Sequence, residues 1–427
     1  MNRTAALLLS VAGALARADD DDAASLPPRE WAPEPYRTPR AGEGFRLRVM
    51  GFDVPVDPMD RRHVSAWEAG ASITWRPVQD TPVLPFGSLY YWRHESDRDL
   101  LRAEVAGLFN DVTWMRRLGR GPLELVTAFT SFTVPFPQAE WVDGRTQLNQ
   151  ELTWGYVRPA FGLGARTVMG PQDDNMVSLD VLVEPGVQFF VRSPHAAAEF
   201  RPPVTGLEVR AHVMARWDSV ERNLLGLPHR GLAAGLDVVA GFRPGWRNWG
   251  VRSKHPAADG RDPAYAAAYA ITASGLPGVD SERHRLVLSA HGAVGRHLDR
   301  FSAPRVGGGV RPGGQEFGSS WRPILPGAAV QEFYPSRYLV LVGEYRFEPV
   351  FFAFLHAVAS VSVLERDRLA GDAVTSSDDL FASVGAMVTS GFLFNTRIQL
   401  AVHRNTSVVR SGRAGGNELV LDVNGKF

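Results

Sequence analysis

The segment GLEVRAHVMARW, residues 206–217, alternates apolar and polar side chains along its length. Leu207, Val209 and Trp217 fall on one face of an extended chain, whereas Glu208 and Arg210 fall on the other. A period of two is typical of a strand. Strands of soluble sheets average about five or six residues, whereas a strand that spans a membrane in a barrel needs about ten, with one apolar face. The length of this alternating segment therefore favours a transmembrane barrel.

Comparable alternating segments recur from residue 44 to the C-terminus, and the chain has no apolar run long enough for a membrane-spanning helix. They predict an all-β chain, a transmembrane antiparallel β-barrel of about 16 strands, an even number as in single-chain bacterial barrels. Tight turns within 156–160 and 184–186 would make about 18 strands the alternative. The predicted strands are residues 44–56, 65–77, 85–94, 101–116, 122–134, 147–168, 176–192, 204–218, 229–243, 264–274, 284–297, 337–348, 350–365, 378–389, 391–404 and 417–427.

The composition excludes several classes of function. The chain has 427 residues, with 46 basic and 46 acidic side chains and no cysteine. A zero formal charge gives no basic footprint for nucleic acid, and the lack of cysteine excludes disulfides and thiolate metal sites. We predict no cofactor, no metal site and no nucleic-acid partner.

The N-terminus has the organisation of a secretory signal peptide. Residues 1–22, MNRTAALLLSVAGALARADDDD, contain a basic Arg3, a short apolar run and an A-x-A cleavage site that ends at Ala18. This predicts a signal peptide at 1–18, with an uncleaved helical anchor as the alternative. Acidic residues and prolines dominate 19–43, which we expect to be a disordered linker. The barrel is expected to occupy 44–427.

The predicted connections indicate an orientation in the membrane. Short connections at 348–349 and 390–391 are expected on the periplasmic side, because bacterial barrels have short periplasmic turns and long extracellular loops. Long connections at 244–263, 366–379 and 405–417, and the longest at 298–336, are then extracellular. We expect the chain in the bacterial cell outer membrane, in contact with its lipid. Aromatic residues near strand ends are predicted to form interfacial girdles, namely Tyr90, Tyr91, Trp92, Trp246, Trp249, Phe351 and Phe352.

The C-terminal residues suggest how the barrel is inserted. The chain ends in Asn424, Gly425, Lys426 and Phe427. This ending resembles the C-terminal signal by which bacterial barrel proteins are recognised for insertion. The resemblance implies the barrel-assembly machinery as a partner during biogenesis, with Asn424, Gly425 and Phe427 as the insertion signal.

The region DRFSAPRVGGGVRPGGQEFGSSWRPILPGAAVQEFYPSRYLVLVGEYRF, residues 299–347, resembles the signature region of the BamA/TamA superfamily of outer-membrane barrels, of the surface-antigen type. In that family a Gly-Gly patch and a Leu-Arg-Gly-aromatic motif lie in a loop folded into the lumen, and a Glu-Tyr-Arg-Phe-like strand begins the last five strands. The corresponding residues here are Gly307, Gly308 and Gly309, then Leu325, Pro326 and Gly327, then Glu344, Tyr345, Arg346 and Phe347.

The resemblance implies a barrel that assembles or translocates proteins, with a client that the sequence does not identify. The alternation of the strand places Glu344 and Arg346 on the lumen wall, where we expect them to be among the contacts of the loop. Two features depart from the family pattern. First, Pro326 stands at the arginine position, for which Arg322 is a candidate substitute, and Ala328 stands at the aromatic position. Second, residues 19–43 are too few for a POTRA domain.

Two other functions are the alternatives. The chain is a passive diffusion porin if the loop lies outside the lumen. An outer-membrane lipid hydrolase would need a serine–histidine dyad, for which Ser289 and His291 are the candidates. Because the chain lacks the G-x-S-x-G elbow of many serine hydrolases, we predict that it is not an enzyme and has no catalytic residues.

Overall fold

The structure, a computed structural model, describes most of the chain. The described residues are 28–29, 36–49, 51–75, 83–96, 98–142, 145–172, 174–252, 254–309, 323–370, 373–391, 395–410 and 413–426.

The chain forms a closed transmembrane barrel of 16 antiparallel strands. The alternation seen in the sequence produces this wall, because one face of each strand can meet lipid while the other lines the lumen. The strands are β1 (His63–Trp75), β2 (Val83–His94), β3 (Asp99–Val105), β4 (Phe109–Arg117), β5 (Leu123–Thr133), β6 (Arg145–Val168), β7 (Met176–Arg192), β8 (Gly206–Asp218), β9 (Pro228–Phe242), β10 (Ala264–Gly275), β11 (His284–Arg296), β12 (Arg337–Val350), β13 (Ala353–Ala370), β14 (Ala373–Gly391), β15 (Thr396–Arg410) and β16 (Arg413–Lys426).

The last strand pairs with the first and closes the barrel. This seam runs from Asn417 opposite Trp75 to Lys426 opposite Ala66. The predicted count of 16 is confirmed. The alternative count of 18 is wrong, because 156–160 and 184–186 lie inside β6 and β7.

Two of the predicted strands are nevertheless wrong, and their errors cancel in the count. Residues 44–56 form a hairpin of Phe45–Val49 and Phe52–Val56, which joins Pro28–Arg29 in a three-stranded sheet apart from the barrel wall. Residues 101–116 are β3 and β4, separated by a turn in which Gly107 has φ of +74°.

The predicted facing of residues 206–217 is confirmed. Val209 is 36% exposed and Leu207 is 50% exposed on the outer face, whereas Glu208 is 2% exposed in the lumen. Arg210 faces the lumen with Glu208, and it forms an ion pair with Glu184 on β7 at 3.3 Å. The lumen wall is therefore charged, and its charges are largely paired.

The barrel has two unlike ends. At one end, the turn mouth, short connections such as 351–352 and 392–395 join the strands. At the other end, the loop mouth, lie the longer connections 193–205, 243–263 and 297–336. Residues 366–379 and 405–417 were predicted as loops, but β13–β14 and β15–β16 stay paired as far as Ala370–Ala373 and Arg410–Arg413.

Short elements complete the structure. They are the strands Gln138–Val142, Phe200–Arg201, Glu221–Arg222 and Gly250–Val251 and a 3-10 helix at Ala257–Asp259. In the described part of the chain, no helix has both the length and the apolar character needed to cross a bilayer.

Several aromatic residues predicted as girdle residues are buried instead. Trp246 and Trp249 pack with Phe301 beneath the loop mouth, where the Trp249 and Phe301 ring centroids lie 5.3 Å apart. Tyr90 and Trp92 are buried on the lumen face of β2, and Phe351 is buried at the turn mouth. For these residues the girdle prediction is wrong.

The turn mouth is covered by the N-terminal segment 36–62. Arg40 forms ion pairs with Glu282, at 3.1 Å, and with Glu221. Thr38 donates a hydrogen bond to Glu348 at 2.7 Å. The expected disordered linker therefore does not hold for residues 36–43, which dock on the turns of the barrel.

Candidate functional site

The described parts of the longest loop, residues 298–309 and 323–336, lie inside the barrel. Val306, Leu325 and Ala328 are fully buried. They pack in one apolar cluster with inward side chains of the wall, including Val340 and Phe381. The loop is thus held in the lumen by a dry interface, as the family resemblance implies.

The two halves of this loop are joined by backbone pairing. Val306 and Phe333 exchange hydrogen bonds of 2.9 and 2.8 Å. The N–H of Leu325 donates to the carbonyl of Gly307 at 2.7 Å. The glycine run and the Leu-Pro-Gly segment therefore form one compact unit, although Gly307 and Leu325 are 18 residues apart in sequence.

Two glycines in this unit are required by close approach to the wall. A Cβ on Gly308 would lie 2.1 Å from the carbonyl oxygen of Ala328 in the other half of the loop, and 2.6 Å from Oε1 of Glu418 on β16. Gly327 has φ of +82°, which favours glycine, and a Cβ there would lie 2.6 Å from the backbone nitrogen of Asn405 on β15. The glycines thus allow the loop backbone to reach the last two strands.

Glu418 is the centre of the contact between the loop and the seam. Its carboxylate accepts hydrogen bonds from the N–H of Gly309 at 2.6 Å and the N–H of Gly327 at 3.1 Å. It also accepts one from the hydroxyl of Ser72 on β1 at 3.0 Å. One buried carboxylate therefore joins both halves of the loop to both strands of the seam. The imidazole of His403 lies 3.6 Å from the same carboxylate.

A second set of contacts fixes the end of the loop to β15. Glu332 pairs with Arg410, and both side chains are almost completely buried. Glu332 also accepts the N–H of Ala329 at 2.8 Å. The amide of Asn405 donates to the carbonyl of Pro326 at 3.2 Å. Because removing one partner of a buried ion pair leaves an uncompensated charge, this set disfavours small displacements of the loop.

The structure brings together most of the residues of the predicted loop motif. Gly307, Gly308, Gly309, Leu325, Pro326 and Gly327 lie in the unit described above, whereas Arg322 lies outside the described residues. Glu344 and Arg346 are on the lumen wall, but nearer the turn mouth. Glu344 contacts His356 at 2.8 Å, and Arg346 donates to the carbonyl of Pro228.

The predicted insertion signal is described in part. Asn424 is buried in the lumen opposite Glu68 on β1, and Gly425 lies against the Trp67 indole, which a Cβ would approach to 2.6 Å. Phe427 lies outside the described residues. The role of these residues in insertion stays a prediction.

The sequence did not single out Glu418, Asn405, Glu332 or Arg410. Each appeared as one polar residue of an alternating strand or of a loop. The only sequence signal of Glu418 is an inward position on a predicted strand, which many residues share, whereas Asn405, Glu332 and Arg410 fall in predicted loops.

The candidate dyad Ser289 and His291 lies on the lumen face of β11. Two residues apart on a strand corresponds to a rise of about 6.6 Å, which is beyond the hydrogen-bond reach that a nucleophile and its base require. His291 instead stacks on Tyr269, with 5.9 Å between the ring centroids. This geometry gives no support to a hydrolase.

No protein-family model matches the chain, and no curated protein matches it. Solved structures do match. BamA from Haemophilus ducreyi, in a form lacking POTRA domains 1–3, gives a TM-score of 0.52 at 9% identity, over 90% of this chain and 75% of that one. The fold is that of a BamA-type barrel. CdiB from Acinetobacter baumannii gives a TM-score of 0.50 at 9% identity, over 89% of this chain and 63% of that one.

The predicted resemblance to the BamA/TamA superfamily is therefore confirmed for the barrel fold. This chain spans less than two thirds of the length of CdiB. A FadL homologue from Pseudomonas aeruginosa is less similar, with a TM-score of 0.34 at 10% identity, over 86% of this chain and 90% of that one.

Proposed function

We propose that the chain is a barrel of the bacterial outer membrane that inserts or translocates other polypeptides, with its lumen closed at rest by the loop 298–336. The observation that carries the proposal is the Glu418 carboxylate, which joins the loop to β1 and β16. The inward position of the loop also argues against the passive diffusion porin, which needs an open lumen.

The contacts of Glu418 couple two movements. If the loop leaves the lumen, the carboxylate loses two backbone donors and keeps only Ser72 across the seam and the more distant His403. A buried carboxylate that loses donors is costly, so loop release favours solvent entry and rearrangement at the seam. The loop and the seam then act as one two-state element, on which a polypeptide client can act from either side.

The other predicted partners would act around this element. Outer-membrane lipid surrounds the apolar outer face, and the barrel-assembly machinery would act on the C-terminal strand during biogenesis. The segment 36–62 covers the turn mouth, so a client that arrives there has to displace it. A client protein is not identified by these features.

A disulfide across the seam tests the proposal. Ala69 on β1 and Val423 on β16 are paired residues on the outer face. Directly opposite residues of antiparallel strands have Cα atoms about 4.5–5.5 Å apart, which suits a disulfide. The chain has no other cysteine. The matched control places the same disulfide at Ala357 and Ala386, which pair within β13 and β14 away from the seam.

The measurement is the rate at which an unfolded barrel protein folds into liposomes that contain each variant, followed by heat-modifiable mobility on gels. We expect the unaltered protein and the control to accelerate folding, and the seam-locked protein to do so only after reduction. If the seam-locked protein accelerates folding equally before and after reduction, this would contradict the proposal that the seam takes part in insertion. No acceleration by the unaltered protein over empty liposomes would contradict the insertase function, and protease protection of an added secreted polypeptide would then decide on translocation.

A further inference from the structure

One sector of the lumen wall differs from the rest. On β6 to β9, inward positions carry paired charges, such as Arg158 with Glu208 at 2.6 Å and His212 with Glu184 at 2.7 Å. Five inward positions, two on β2 and one each on β4, β5 and β6, carry aliphatic or aromatic side chains instead. This second group is called the apolar sector and consists of Leu84, Phe86, Phe109, Phe132 and Tyr156.

The strand register shows that Leu84 faces the lumen. Leu84 is paired with Ser72, and directly opposite residues of an antiparallel pair share a face. Ser72 points into the lumen, because its hydroxyl reaches Glu418. Leu84 is nevertheless 40% exposed. Its exposed surface is therefore inside the barrel and not toward lipid.

Three of the aromatic members of the apolar sector are neighbours across adjacent strands, and the fourth, Phe86, lies against β1. Phe86 is paired with Gly70, and its ring occupies the space that a Cβ on Gly70 would need. Phe132 is paired with both Phe109 and Tyr156. The rings of Phe132 and Tyr156 stack with centroids 5.8 Å apart and an interplanar angle of 29°. The register thus places Phe109, Phe132 and Tyr156 in one aromatic row that faces inward, and Phe86 lines the same cavity.

A cavity of about 350 Å³ lies between the apolar sector and the lumenal loop. On the loop side it is lined by Phe301, Ile324 and Val330. Its volume is in the range of small-molecule sites, which are mostly apolar with a few polar groups. Apolar surface exposed to water in such a space is unfavourable, so an apolar occupant is favoured over water.

The charged side chains that line the cavity are of both signs, which favours an uncharged occupant; they are Glu68, Glu104, Arg158, Arg210 and Arg305. The guanidinium of Arg158 donates two hydrogen bonds to Glu208, at 2.6 and 3.0 Å, and lies 3.7 Å from the Tyr156 ring centroid. Arg210 is paired with Glu184. An anionic ligand would have to compete with these carboxylates, whereas a neutral ligand leaves both pairs intact.

We infer that this cavity binds a small uncharged hydrophobic molecule that contains an aromatic ring. The aromatic surface supplies the contacts, since offset or edge-on ring pairs add to the stabilisation from burial alone. This site is independent of the proposed action on polypeptides.

Photolabelling with 3-trifluoromethyl-3-phenyldiazirine, a small neutral aromatic reagent, tests the inference on the full chain in lipid nanodiscs. Labelled residues are identified by tandem mass spectrometry. Outward side chains such as Phe129 are labelled by reagent dissolved in the lipid. We expect labelling of Leu84, Phe86 or Phe132 as well, and excess naphthalene should reduce it about tenfold when it saturates the site, by mass action. Labelling of Phe129 should not saturate.

Phe132→Arg, which places a charge in the cavity, should abolish the saturable labelling, whereas Phe129→Leu on the outer face of the same strand should leave it unchanged. Heat-modifiable gel mobility checks that both variants fold. If Phe132→Arg does not fold, naphthalene competition on the unaltered protein decides. Labels confined to the outer face, or lumen labels that naphthalene does not reduce, would overturn the inference.

Discussion

Glu418→Gln is the substitution that most directly weakens the contact between the loop and the seam. It removes the charge and leaves one oxygen to accept a hydrogen bond. The second carboxylate oxygen is replaced by an NH2 group, which cannot accept a hydrogen bond from the N–H of Gly309 or of Gly327. The barrel pairs of β16 are backbone hydrogen bonds and are retained, so we expect a folded barrel with a more easily released loop.

The magnitude follows from the hydrogen bonds that are lost. A hydrogen bond to a charged group contributes about 1.5–3 kcal/mol, and a neutral one about 0.5–1.5 kcal/mol. Weakening one of the two loop contacts and losing the other should cost about 2–4 kcal/mol in the free energy of loop docking. Since about 1.4 kcal/mol is a factor of ten, the released fraction should rise about 30- to 700-fold.

A reporter cysteine measures that fraction. Ala328 is completely buried between the loop and the wall, and the chain has no native cysteine. Ala328→Cys should therefore react with a membrane-impermeant maleimide only when the loop is released. When docking is fast relative to labelling, the labelling rate follows the released population, so Glu418→Gln should accelerate it by the factor above.

Asp422→Asn is the matched control, because Asp422 is also a buried carboxylate on β16 but pairs with Arg397, 3.5 Å away. It should label at a rate close to that of the parent. Equal labelling of the Glu418→Gln variant and the parent would refute the assignment of Glu418 as the loop anchor. Equal acceleration by both substitutions would show that general barrel destabilisation, and not the loop contact, controls the reaction.

Three further predictions address the outer face, the C-terminus and the turn mouth. Val209→Arg should destabilise the barrel by about 2–4 kcal/mol if the site is near the midplane of the membrane, whereas Val209→Leu should not. Equal urea midpoints for the two variants would contradict the prediction that Val209 faces lipid. Phe427→Ser should lower the amount of barrel assembled in outer membranes; unchanged amounts would contradict the insertion signal. Burial by itself would raise the pKa of Glu282, but the Arg40 hydrogen bond and charge hold it below its ordinary 4.5. The contribution of the Arg40–Glu282 ion pair to the docking of residues 36–43 is therefore complete above pH 4.5 and is lost as pH falls through the folded pKa. Hydrogen exchange corrected for intrinsic rates should show this loss as a difference between the unaltered protein and Arg40→Ala.

The barrel could be predicted from the sequence because each spanning strand carries its own evidence. The alternation at Glu208 and Val209 depends only on which side of the wall meets lipid. The two wrong strands show the limit of that signal. Apolar residues continue through the turn at Gly107, so nothing polar separates β3 from β4, and residues 44–56 alternate like a barrel strand although Gly51 divides them into a small hairpin.

The loop anchor could be predicted only in part. The glycines were visible because close backbone contacts leave a mark on residue type: a Cβ would meet the Ala328 carbonyl at Gly308 and the Asn405 nitrogen at Gly327. Glu418 was not visible, because its donors are backbone N–H groups 109 and 91 residues away in sequence. Backbone donors leave no mark on residue type. The burial of Trp246 could not be predicted either. This residue lies beyond the end of β9, where tertiary packing, and not a period of two, decides which way a side chain points.

The central claim, that the loop closes the lumen, is tested most directly by conductance in planar bilayers. Three proteins are compared. They are the intact protein, a variant that lacks residues 306–330, and a variant that lacks both 306–330 and 28–56, the second of which includes most of the segment that covers the turn mouth. A barrel of about 16 strands is wide enough to hold an aqueous channel unless it is plugged. We predict that the intact protein conducts poorly, that the loop deletion conducts more, and that the double deletion gives a large, steady conductance. An intact protein that already conducts like an open porin would contradict the account.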